Sequence, residues 1–133
     1  MALVRAMAAS HRQDLVARSQ QFSVRLLRFV GQLLSDPRMP RRVCENLAAA
    51  GTAIGNNLSE AQFALSRPQM AHCFLLALRE ARETKHALAV IRDIPKGDPL
   101  ELAWLYGEAD EFVAMLDVSV QKLKRPATRT PGH

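Results

Sequence analysis

At 133 residues the chain has the length of one domain and can bury a real core. Apolar residues make up 48% of it and aromatic residues only 5%, and few segments are rich in β-branched residues, so strands are not expected. No apolar run approaches the ~18 residues of a membrane span, and the net charge of +5 permits contact with polyanions without requiring it.

The opening residues, MALVRAMAASHRQ, lack the continuous apolar stretch of a secretory signal. Residues 1–12 therefore read as a flexible N-terminus and the protein as cytoplasmic. Pro37 and Pro40 break the chain once, Ser66-Arg67-Pro68 again, and Pro95-Lys96-Gly97-Asp98-Pro99 a third time. Four helices are predicted between these breaks, over 13–35, 41–65, 68–92 and 99–124. Each carries apolar residues at alternating spacings of three and four. Leu15, Phe22, Leu26, Phe29, Val30 and Leu33 share a face of the first. The second has Val43, Leu47, Ala50, Ile54, Leu58, Ala61 and Leu65. The third has Met70, Phe74, Ala77, Ala81, Thr84, Leu88 and Ile91, and the fourth Leu102, Leu105, Ala109, Phe112, Leu116 and Leu123. Ser66 ahead of Pro68 and Asp98 ahead of Pro99 suit helix starts. Short connections between long helices favour antiparallel neighbours, so the expected fold is all-α, an up-down-up-down four-helix bundle over 13–124. Residues 125–133 read as a disordered basic tail.

The second helix contains TAIGNNLSEA, 52–61, preceded by Gly51. Each glycine costs a helix roughly 1 kcal/mol relative to alanine. Ile54, Leu58 and Ala61 point inward, and small residues on the flank of that stripe let another backbone approach closely. Asn57 and Glu60, three apart, share one edge of the helix. Phe63 points away from the core, and the third helix presents Leu75, Leu76 and Leu78 off its own core line. Two helices with a second apolar face imply self-association through Phe63, Leu75 and Leu78.

Residues 49–88 carry two separated polar motifs. One is Thr52, Ile54, Asn57, Glu60 and Ala61; the other, after Ser66, is Arg79, Glu80, Ala81, Glu83 and Thr84. In order and spacing the stretch resembles the bacterial four-helix-bundle proteins of intervening sequences in large-subunit ribosomal RNA genes. Gln69-Met70 departs from the usual Asp-Phe of that family, and Ser59 from its frequent Glu. The resemblance implies a homo-oligomer, typically a pentamer. It also implies kinship with the accessory subunit of diversity-generating retroelements, and so a partner that is RNA, DNA or a reverse transcriptase.

Several residues invite chemistry. Glu83-Thr84-Lys85-His86 has the Glu-x-x-His spacing of di-iron bundles, but such sites need two of these motifs and two further inward carboxylates. A metal-dependent bundle enzyme is therefore the alternative reading, and a purely structural protein-interaction oligomer another. Glu80 and Glu60 are expected instead to make polar contacts with Asn57 or Arg79, forming with Glu83 a structural motif whose loss destabilises the bundle. Glu101 is expected to be exposed and dispensable. Cys44 and Cys73 have no metal-ligand spacing and no evident base, and no Gly-rich phosphate loop occurs. No catalytic residue, metal site or cofactor is assigned. The remaining functional lead is basic: Arg67, Arg82, Lys85 and Arg92 fall on one side of the third helix, read as opposing the core, with Arg79 further round. They form a candidate nucleic-acid surface, without the interleaved aromatics that stack on single strands. The expected function is a non-enzymatic oligomeric binding scaffold.

Overall fold

The computed structural model describes residues 2–94 and 97–125, with side chains from residue 14 onward. Four helices follow in chain order: α1 (Ala2–Leu34), α2 (Arg41–Ala61), α3 (Arg67–Arg92) and α4 (Pro99–Lys124). Successive helices run antiparallel and pack side by side, and α1 and α4 close the up-down-up-down bundle.

Local chemistry fixes two of the helix starts. The Ser66 hydroxyl accepts the Gln69 amide at 3.2 Å, with Pro68 in the first turn of α3. Asp98 Oδ1 accepts the amides of Leu100 at 2.9 Å and Glu101 at 3.4 Å, so α4 opens with a capping carboxylate followed by Pro99. Pro40 precedes α2 without a side-chain cap.

Four helix boundaries differ from expectation, one of them only in that α1 ends at Leu34 rather than residue 35. The helix predicted from residue 13 already begins at Ala2, so the segment assigned as a flexible terminus is helical over 2–12. The helix predicted to residue 65 ends at Ala61: Gln62 and Phe63 donate to the carbonyls of Ser59 and Glu60 in a tightened last turn. The third begins at Arg67, one residue early. The proposed tail lies outside the described residues beyond Arg125, which is already extended.

The four stripes meet in one core. Phe22, Phe29 and Phe112 are its largest fully buried side chains, packed among leucines of all four helices. The exceptions are informative. Leu65 falls beyond the end of α2 and is 94% exposed, and Val43, at its start, is 40% exposed. In α4, Val120 takes the buried place expected of Leu123.

The glycines of α2 mark its approach to α1. A Cβ at position 51 would collide with the Cδ2 of Leu26, and one at 55 would fall 2.9 Å from Ser19 Oγ. Ser19 is itself 1% exposed and satisfies its hydroxyl by donating to the Val16 carbonyl at 2.7 Å. The poor helix formers of α2 are thus where two helices come together backbone to side chain.

Candidate functional site

The basic row of α3 does lie along one side of that helix, but the side faces α4. Lys85 Nζ is 2.7 Å from Asp110 Oδ1, and Arg82 Nη2 is 3.7 Å from Asp117 Oδ1. The hydrogen bond with Asp110 raises the Lys85 pKa, and burial opposes the rise. The guanidinium of Arg92 sits 4.7 Å from the centroid of the Tyr106 ring, with Lys85 Nζ at 5.9 Å. Arg67 donates through Nη2 to the Lys122 carbonyl at 2.8 Å and through Nε to the Leu123 carbonyl at 3.3 Å, capping the C-terminal end of α4. Four of the candidate cations therefore serve the α3–α4 seam, which corrects their placement opposite the core. Arg79 is exposed and stands apart from them. The signal that sequence reading missed was on α4: Tyr106, Asp110 and Asp117 recur at spacings of four and seven, a helix edge complementary to the α3 row.

The polar motif comes together only in part: Glu80 lies beside Glu83, while Asn57 and Glu60 stand apart from them. Asn57 is half-buried, but its Nδ2 donates to the Ala53 carbonyl of its own helix at 2.9 Å. Glu60 and Glu83 are exposed. Glu80 is half-buried; burial first, and then the negative charge of Glu83, pushes its pKa up, with Arg79 opposing only weakly. Within the protomer neither Glu60 nor Glu80 makes the expected contact with Asn57; of the expected partners Glu80 interacts with Arg79. The buried polar residue of this segment is instead Thr84, whose hydroxyl donates to the Glu80 carbonyl at 2.7 Å.

The candidate apolar face also comes apart. Leu78 is 2% exposed and belongs to the core; it lies one and two turns from Arg82 and Lys85, on the flank of α3 that meets α4. Leu75 is half-buried against the same core. Phe63 alone of the three is exposed, at 74%, and it is joined by Leu65 on the turn between α2 and α3.

Charged residues that the sequence left unassigned lace α1 to α4. Arg18 holds Glu108 in a fork, Nε to Oε2 at 2.9 Å and Nη2 to Oε1 at 2.7 Å, and also binds Glu111. Arg25 holds Glu101 likewise, at 2.8 and 2.9 Å, while its guanidinium stacks 3.4 Å from the centroid of Trp104. Glu101, expected to be dispensable, is therefore half-buried and engaged. Both arginine pKa values are raised, chiefly by these carboxylates.

The grooves between helices are shallow. One of about 300 Å³ between α1 and α2 is lined by hydroxyls and amides, among them Ser19, Ser23, Thr52 and Asn56. Among the described residues no group of three or more His, Cys, Asp or Glu is arranged to hold a metal ion. His86 is exposed, Cys44 is buried with its thiol pKa raised by burial, and Cys73 is half-buried; neither cysteine is bonded to another. No described helix is long and apolar enough to cross a membrane.

No family model matches the chain, and no curated protein sequence does. Among solved structures it is similar to a protein of unknown function of the S23 ribosomal protein family from Bacteroides thetaiotaomicron, with 22% sequence identity and a TM-score of 0.74. The similarity covers 80% of this chain and 98% of that one. At this identity the likeness establishes a shared fold.

Proposed function

We propose that the protein is a non-enzymatic, cytoplasmic binding scaffold of the intervening-sequence kind, which assembles with copies of itself. The observation that carries this reading is the α2–α3 turn, where Phe63 and Leu65 stand 74% and 94% exposed. A single exposed apolar residue is ordinary. Two large ones on a short turn between rigid helices form a knob that leaves water only against another surface. The occupant is a second copy of the chain, in keeping with the pentameric habit that the resemblance of 49–88 implies.

Binding fits the surface better than catalysis does. The shallow α1–α2 groove has no titratable group in its lining, and most of the cations of α3 are engaged by α4. The test is light scattering at micromolar concentration. A mass several times that of the protomer is expected, and Phe63→Glu should lower it with helical circular dichroism intact. A protomer mass for the unaltered protein would overturn the reading.

Contact with RNA or DNA, directly or beside a reverse transcriptase, is a second reading. It is favoured by the net charge of +5 and by Arg41, Arg42 and Arg79, which are exposed and make no ion pair among the described residues. A titration of labelled RNA and DNA should then show binding that falls steeply with salt, through counterion release. No binding at low salt would leave a protein partner as the better assignment.

A further inference from the structure

Consecutive helices pack along their length, so the chain forms a strip of four helices rolled upon itself. Its two edges, α1 and α4, approach at few backbone positions. Side chains bridge the gap. Arg18 and Arg25 lie two turns apart on α1, and Glu108 and Glu101 lie two turns apart on the antiparallel α4, so the two guanidinium–carboxylate forks stand in register. Beneath them is an aromatic strip: Phe22 meets Phe112 edge-on at 5.8 Å between centroids and lies 6.5 Å from Trp104. Arg18 covers Phe112 at 5.6 Å, as Arg25 covers Trp104.

We infer that the α1–α4 seam is a latch: the bundle opens along this line before its other three seams, and Arg18 and Arg25 hold it shut. The reason lies in how each seam is bonded: the other three pack closely along their length, and this one is bridged chiefly by side chains. Burial of apolar surface is non-directional and yields gradually as helices separate. A bidentate fork is short-ranged and depends on angle, so a small displacement breaks both of its hydrogen bonds together. The released groups rehydrate readily, because the Arg18 and Arg25 side chains are already 34% and 31% exposed. The α1–α2 seam has no such freedom, since Gly51 and Gly55 bring those helices into contact with Leu26 and Ser19. Opening uncovers Phe22, Trp104 and Phe112 in a groove with arginines on one wall and glutamates on the other. The property belongs to the single protomer and does not depend on self-association.

Trp104 is the only tryptophan in the chain, so its quenching by neutral acrylamide reports on this seam alone. Arg18 is two turns from the arginine that covers Trp104, so Arg18→Gln uncovers the indole only if the seam opens. Loss of a partly exposed fork should raise the open population by about fivefold, with helical circular dichroism unchanged. Lys85→Gln removes an ion pair of the α3–α4 seam and serves as the control; it should leave Trp104 quenching as it was. Equal quenching in both variants, or no increase in either, would overturn the latch. Should Arg18→Gln fail to fold, the unaltered protein decides. Quenching that climbs with sodium chloride before any loss of helicity supports the latch, and quenching that stays flat until helicity falls refutes it.

Discussion

Gly51 carries a physical argument that helix propensity by itself would get backwards. Alanine there should gain about 1 kcal/mol of propensity, but its methyl would enter the space of the Leu26 Cδ2, and Leu26 is fully buried, so it can yield only by pressing on its core neighbours. Overpacking of this kind costs about 1–3 kcal/mol. Gly51→Ala is therefore expected to lower stability in urea denaturation. Gly107→Ala, in α4 with nothing within 4 Å of the new methyl, should raise it by about 0.5–1 kcal/mol. Glu80 makes the second argument. Its carboxyl has a raised pKa in the folded bundle, from burial and from Glu83. The stability this contributes is complete below the ordinary glutamate range, where both states hold the proton, and is lost as pH rises through the folded value. At neutral pH the ionised group is a liability. Glu80→Gln should thus melt at a higher temperature than the unaltered protein at pH 7, and the gap should close as pH falls below that range. A lower melting temperature at pH 7 would restore the stabilising role that the sequence pattern implied.

At the scale of elements, α3 and α4 form a ladder in which arginine and lysine of one helix meet aspartate and tyrosine of the other. These pairs are at least a third exposed, and exposed pairs contribute about 0–1 kcal/mol each. The Arg82→Ala, Lys85→Ala double variant is accordingly expected to lose at most about 2 kcal/mol in thermal or urea unfolding. Its affinity for labelled RNA should hardly change, since Asp117 and Asp110 already engage both cations. A large drop in affinity would reinstate α3 as the phosphate-binding face. α2 shows a different limit. Its apolar stripe continues to Leu65 in sequence, yet the helix stops at Ala61 and throws Phe63 and Leu65 outward. Periodicity marks which residues could share a face; it does not say where the hydrogen-bond ladder ends.

Assembly is a property of the whole molecule. If copies associate through the Phe63–Leu65 knob, the folded state is stabilised by mass action, and the melting temperature rises with protein concentration. Phe63→Glu should abolish that dependence while leaving the melting temperature at high dilution almost unchanged, because the residue is 74% exposed in the protomer. Scanning calorimetry over a hundredfold range of concentration, chosen on the order of the micromolar to sub-millimolar range where such interfaces respond, checks both halves.

The sequence by itself determined the helix count, the inward stripes, the capped starts of α3 and α4, and the close approach at Gly51. Each follows from local rules: a period of 3.6, a capping side chain, a missing Cβ. Only the tertiary structure decided which surfaces remained free. Leu78 and the cations of α3 look exposed on an isolated helix, and α4 covers or engages most of them. Glu101 looks dispensable until Arg25 of α1 reaches it across 76 positions of chain. Such pairings depend on the rotation and register of one helix against another. The sequence specifies these through the packing of the whole core, and no short stretch of it displays them.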